Sequence, residues 1–258
     1  MKKRLLCAVI AAMAFSTAAC TAKTSGTTSA AESTVTEEET TESKIETEEE
    51  TSASEEEETS AEEEVSDTDS ADGKESDFRT GSWDGLTFTN PWLNLVITFP
   101  EGSYIYTDEE VKTLLGAGQD ILINNGNYTE SQLTMAKALT VYDFMVALPD
   151  GQSNVQLVYE NIKLTTGGKG IEPADYLELV STQLKSVADM QYEMGQPSEV
   201  EIAGQTFTKL SATLMGGAFC QDYYCIRIGD RMATMNISYL PDSASTVEEL
   251  VAGIKPAK

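Results

Sequence analysis

The chain of 258 residues contains no histidine, so any chemistry must rest on carboxylates, hydroxyls, amines or thiols. That excludes Ser-His-Asp hydrolases, Cys-His proteases, His-ligated zinc enzymes and imidazole proton shuttles. Two aspartates stand inside strand-like segments, Asp143 after Tyr142 and Asp222 before Tyr223-Tyr224. A buried aspartate of raised pKa can act as a general acid, and two carboxylates about 5–10 Å apart can cleave glycosides. The commoner use of such an aspartate is as a hydrogen-bond acceptor at a strand edge. Four aromatics, Trp83, Trp92, Tyr104 and Tyr106, are grouped near one another. Exposed, they would stack on sugars or peptides; beside a first strand, they more often pack the core. No catalytic set, cofactor site or metal site is assigned from these residues.

The thiols divide by position. Cys7 lies in an apolar run, Leu5 to Phe15, that follows the basic Met1-Lys2-Lys3-Arg4 and precedes the small residues Ser16-Thr17-Ala18-Ala19. This is the layout of a secretory signal over residues 1–19, too short for a hydrocarbon core that needs about 20 residues. Cys20 follows directly. If Cys220 and Cys225 share one strand, their spacing of five sets them on opposite faces about 16 Å apart. A disulfide needs Cα atoms within about 7 Å, so two free thiols are expected.

Residues 20–78 read as a tether. From Thr21 to Phe78 there are 21 acidic and 3 basic residues among Ser, Thr and Ala, which leaves a net charge of −11 for residues 79–258. With so few large apolar side chains, nothing offsets the entropy of ordering. A self-repelling spacer results, able to reach about 190–200 Å at most. Asp67-Thr68-Asp69-Ser70-Ala71-Asp72-Gly73 superficially suggests a calcium loop, but Gly73 falls one place late for that pattern. The acidic balance argues against nucleic acid. Thr165-Thr166-Gly167-Gly168-Lys169-Gly170 lacks the Ser or Thr that a phosphate loop carries after lysine.

Residues 79–258 are long enough for one folded domain. Strands are expected near Thr87, over Leu93–Phe99, Val141–Leu148 and Val155–Leu164, then in a meander over Thr206–Leu214, Phe219–Ile228 and Ala233–Tyr239. Helices are expected after the capping box Thr107-Asp108-Glu109-Glu110, after Thr129, from Pro173 with the stripe Leu177, Val180, Leu184 and Val187, and after a second box at Ser245-Thr246-Val247-Glu248. In the strand at Val141, Tyr142 shares a face with Phe144, Val146 and Leu148. In the last strand, Ala233, Met235, Ile237 and Tyr239 point inward and Thr234, Asn236 and Ser238 outward. Apolar residues on both faces of Val141–Leu148 predict an α+β domain, a mostly antiparallel sheet flanked by helices on both faces. Asn127-Tyr128-Thr129 and Asn236-Ile237-Ser238 match a glycosylation pattern that occurs by chance.

The end of the signal resembles the lipobox of bacterial lipoproteins over Thr17-Ala18-Ala19-Cys20, with Thr17 where leucine is usual. That resemblance implies acylation of Cys20 and anchoring to membrane lipid at the extracytoplasmic face, stable when more than one chain is attached. Leu95-Val96-Ile97-Thr98-Phe99-Pro100-Glu101-Gly102, the Thr107 cap, Val200-Glu201-Ile202-Ala203-Gly204 and Ile237-Ser238-Tyr239 resemble the Mog1/PsbP-like fold. That fold occurs in many secreted lipoproteins of clostridia and their relatives. The resemblance spans most of residues 79–258 and implies a binding domain with no transferable active site. The reading is therefore an envelope lipoprotein whose domain binds a protein, peptide or cell-wall ligand rather than an enzyme. A carboxylate-dependent enzyme acting on glycans and a structural or assembly-assisting protein are the alternatives.

Overall fold

The computed structural model describes residues 78–124, 140–163 and 170–257. The signal, Cys20, nearly all of the tether, the helix expected after Thr129 and the loop from Thr165 to Lys169 lie outside the described residues. So does the first glycosylation match.

Two antiparallel sheets form the frame. The smaller joins β1 (Ser82–Asp84), β2 (Thr87–Asn90) and β3 (Leu95–Thr98) in that order. The larger is built from β4 (Tyr104–Ile105), β5 (Thr140–Ala147), β6 (Asn154–Asn161), β7 (Glu193–Met194), β8 (Ser198–Ile202), β9 (Gln205–Leu214), β10 (Phe219–Ile228) and β11 (Arg231–Tyr239). Its order is β4-β5-β6-β11-β10-β9-β7, and β8 shares the outer edge of β9 with β7. The last hairpin closes at Gly229-Asp230, where Ile228 faces Arg231 and Gly229 takes the positive φ of 58° that this tight turn needs.

Among the described residues three α-helices accompany the sheets: α1 (Asp108–Asn124), α2 (Pro173–Lys185) and α3 (Ala244–Ala252). The box at Thr107 forms as its spacing predicts. The Thr107 amide donates to Glu110 Oε2 at 2.9 Å, and the Glu110 amide donates to Thr107 Oγ1 at 3.3 Å. Pro173 opens α2, where a missing N–H costs little. The box expected at Ser245 does not form. A 3₁₀ turn over Pro241–Ser243 feeds the chain into α3 earlier, and the Ser243 hydroxyl donates to Asp150 Oδ2 instead.

Helices do lie on both faces of the large sheet. On one face α2 buries Tyr176, Leu177, Val180 and Leu184 against Leu210, Leu214, Tyr223 and Met232. On the same side α1 sets Val111 and Leu115 against Met145. On the other face α3 contributes Val247 and Leu250, but most of the cover is the small sheet, through Phe88, Leu95 and Ile97. A bridge between Val96 and Lys255 joins that sheet to the chain's last residues. Each fully buried Leu, Ile or Phe contributes roughly 1.5–3 kcal/mol.

Cover on both sides overturns the expected outward face of β11. Thr234, Asn236 and Ser238 are buried, not solvated. Ser238 accepts from Gln221 Nε2 at 2.8 Å, and Gln221 Oε1 accepts from Tyr223 at 2.6 Å and Tyr192 at 3.1 Å. Alternation in sequence shows polarity, not exposure: Ser238 and Thr234 find buried partners, whereas both polar atoms of the Asn236 side chain are buried without one. Burial also puts Asn236 out of reach of glycosylation.

The β8–β9 turn holds a strained residue. Ala203 has φ of 54°, a left-handed conformation that costs a residue with Cβ about 1–2 kcal/mol, while Gly204 follows at 73°. Ala203→Gly is expected to raise stability by up to about 1 kcal/mol in urea unfolding, less than the strain relieved because glycine gains freedom when unfolded.

Candidate ligand-binding groove

β5 is not regular. Tyr142 faces Val158 and Phe144 faces Leu157, so Asp143 is an extra residue, a β-bulge between two paired neighbours. The bulge reverses the alternation, and Tyr142 joins Met145 on the α1 and α2 side while Val141 joins Phe144 on the small-sheet side. Pattern reading placed Tyr142 with Phe144 because it assumed an unbroken period of two.

The Asp143 carboxylate turns toward the small sheet and accepts three hydrogen bonds. The Gly81 amide donates to Oδ1 at 2.9 Å; Asn90 Nδ2 and the Tyr159 hydroxyl donate to Oδ2 at 2.9 and 2.7 Å. Asn90 is fully buried and also accepts the Leu93 amide on its Oδ1 at 2.8 Å. Burial pushes the Asp143 carboxyl above its ordinary range, and the three donors only partly offset this. Gly81 is required for this approach. A Cβ there would sit 2.2 Å from the Phe88 ring and 2.8 Å from the Thr89 carbonyl oxygen.

Above Asp143 lies a groove of about 640 Å³, within the size range of small-molecule sites. Trp83, Tyr106, Tyr142 and Phe144 supply aromatic surface to it, and the first turns of α1 bring Asp108, Val111 and Lys112 to its rim. The capping box sets the angle at which α1 leaves Thr107, and so sets the distance across the groove. β4 covers only Val146 and Ala147 of the neighbouring edge.

The four aromatics separate. Trp83 packs on Phe88, Phe99 and Phe144 while also lining the groove. Trp92 is core, edge-on to Tyr159 and to Phe78, a residue the sequence analysis assigns to the tether. Arg231 stacks over that same Phe78 ring at 3.8 Å. Tyr104 and Tyr106 form an edge-on pair, Tyr104 exposed and Tyr106 facing the groove.

Asp222 lies elsewhere. Three strand spacings separate β5 from β10, about 14 Å before any offset along the strands, so Asp143 and Asp222 do not form a glycosidase pair. Asp222 is instead held by Lys209 at 3.0 Å, Ser211 at 2.6 Å, and the Tyr224 and Tyr239 hydroxyls at 3.4 and 3.2 Å. Cys220 and Cys225 are both free thiols, as their spacing predicts. Cys225 meets the Thr234 hydroxyl at 3.1 Å, and burial pushes its thiol up to about 12.

Glu160 escaped the sequence reading. It sits under α2, nearly fully buried, with the Tyr176 hydroxyl donating to its Oε2 at 2.9 Å. Burial pushes its carboxyl up to about 8, and the hydrogen bond from Tyr176 offsets only part of that. The available signal was a glutamate alternating with apolar residues in a strand covered on both faces.

No family model matches the chain, and no curated protein does. Among solved structures it is similar to the cyanobacterial PsbP protein (CyanoP) of Synechocystis sp. PCC 6803, at 13% identity and TM-score 0.42, over 69% of this chain and 98% of that one. It is similar to LpqN of Mycobacterium tuberculosis, described as involved in cell envelope biogenesis, at 11% identity and TM-score 0.34, over 64% and 83%. A protein of Bacteroides thetaiotaomicron follows at 14% and 0.32, over 67% and 49%. Likenesses at this level carry nothing about the chemistry of the groove.

Glu160 yields a pH prediction. Its folded value of about 8 lies above the ordinary 4.5, so between the two the fold keeps a proton that the unfolded chain has lost. Its contribution therefore falls as pH rises through that window, by on the order of 3–5 kcal/mol, and is level above it. Urea unfolding of Glu160→Gln beside the native chain, at pH 5 and pH 8.5, is expected to show the variant gaining relative stability at the higher pH. A second prediction concerns Gly81→Ala, which should lower stability by about 1–3 kcal/mol through the clash with Phe88.

Proposed function

We propose that this chain is an envelope lipoprotein, anchored at the extracytoplasmic face by lipid on Cys20, whose domain binds a ligand in the groove above Asp143 without transforming it. The signal segment and the cysteine at its end support the anchor. The acidic tether supports a domain held well away from the membrane, and no helix among the described residues is long and apolar enough to cross one. One observation carries the binding reading: a groove of ligand size walled by aromatics over a carboxylate already fixed by three protein donors. A carboxylate so committed is suited to recognition by charge and shape.

The same groove also motivates a second reading. Asp108 stands on its rim, so a carboxylate pair can be sought there rather than with Asp222. Hydrolysis of cell-wall glycan fragments that is lost in both Asp108→Asn and Asp143→Asn would establish that reading in place of simple binding.

Two measurements test the proposal. Cys20→Ser is expected to move the protein from the membrane fraction to the medium and to abolish palmitate labelling; retention in the membrane would refute the anchor. Methyl NMR of Ile105 and Met145 during titration with envelope extract is expected to show shifts at the groove. Shifts confined to residues around Asp222 would refute the groove as the site.

A further inference from the structure

Resting on the reading of the groove as a binding site, we infer that its ligand is a small organic cation, an ammonium group on an apolar stem, met by Asp143 and the surrounding aromatic faces. Three observations lead there. Among the described residues, the donors to Asp143 are all neutral: a backbone amide, an asparagine and a tyrosine hydroxyl. Gly81 takes Oδ1 once and Asn90 and Tyr159 share Oδ2, which leaves acceptor capacity on Oδ1 for one more donor. A half-buried carboxylate answered by neutral groups, and open on one side to a groove, is the arrangement a cationic ligand completes.

The walls agree with that charge. Trp83, Tyr106 and Tyr142 line the same groove, with Phe144 packed behind Trp83, and aromatic rings attract ammonium groups, quaternary ones included. Apolar side chains Val111, Leu115 and Ile105 line the remainder, giving the stem a dry surface. The domain's surplus of acidic residues raises the local concentration of cations as well. Lys112 is the opposing element. It is exposed on the rim, near enough to the groove to repel a cation and free to turn into solvent.

The test uses the full-length chain and three probes of one shape: phenethylamine, its neutral alcohol analogue and its carboxylate analogue, followed by Trp83 fluorescence and calorimetry. The amine is expected to bind about tenfold more tightly than the alcohol, with the carboxylate weakest. Lys112→Glu leaves the Asp143 network untouched and should tighten amine binding several-fold; Thr80→Lys at the exposed rim should weaken it by a similar factor. Asp143→Asn should abolish the preference for amine over alcohol. Equal binding of amine and alcohol at the groove overturns the cationic ligand while leaving the groove as a binding site. Binding of none of the probes also overturns it, and the methyl titration with envelope extract then decides separately whether the groove binds anything.

Discussion

Holding a half-buried carboxylate between two sheets requires that the donors around it be in place, and Asp143 imposes that requirement on this fold. Its three hydrogen bonds come from Gly81 ahead of β1, Asn90 at the end of β2 and Tyr159 in β6. The bond from Asn90 links the small sheet to the large one, and the bond from Tyr159 crosses from β6 to β5. Loss of a partner to a buried charged group costs more than a typical net hydrogen bond, on the order of 1–3 kcal/mol or above. The network therefore fixes how the small sheet sits on β5, and that placement leaves the groove between Trp83 and α1. The bulge turns the carboxylate toward the donors and shifts the register of β5 on β6.

Cover on both faces of the large sheet explains the rest of the polar interior. The central strands β6, β11 and β10 carry Gln156, Asn236, Thr234 and Gln221 in the interior rather than in water. Gln221 ties Ser238, Tyr223 and Tyr192 together, so one amide links two adjacent strands to the chain that follows α2. Glu160 belongs to the same layer, its Oε2 accepting from the Tyr176 hydroxyl. Such groups fix one alignment of helix on sheet, at an energetic cost that apolar packing by Leu177, Val180 and Leu184 offsets.

The fold was legible in the sequence where local chemistry decides it. The Thr107 box, Pro173 and the Gly229-Asp230 turn each satisfy backbone groups by themselves, and each appears where its residues place it. Faces were legible only while the period held. A single inserted residue at Asp143 reversed Tyr142, and no composition signal marks a bulge. The polar face of β11 was misassigned for a related reason, since polarity does not reveal whether a helix lies above it. Of the groove, Asp143, Trp83 and Tyr106 were singled out from sequence, but not as neighbours. Asp222, paired with Asp143 in the glycosidase idea, belongs to another part of the sheet, and the shared role of Asn90, Gly81 and Tyr159 comes from contacts more than ten residues apart in the chain.

The central claim is that Asp143 is a half-buried carboxylate at the base of a binding groove, with no counter-charge among the described residues. Carboxyl-carbon NMR of that side chain, titrated with acid in the free chain and again with the amine probe bound, tests it most directly. The account predicts a pKa above the ordinary aspartate range in the free chain, falling when the ammonium group arrives. An ordinary or lowered value in the free chain, unchanged by the probe, would contradict it.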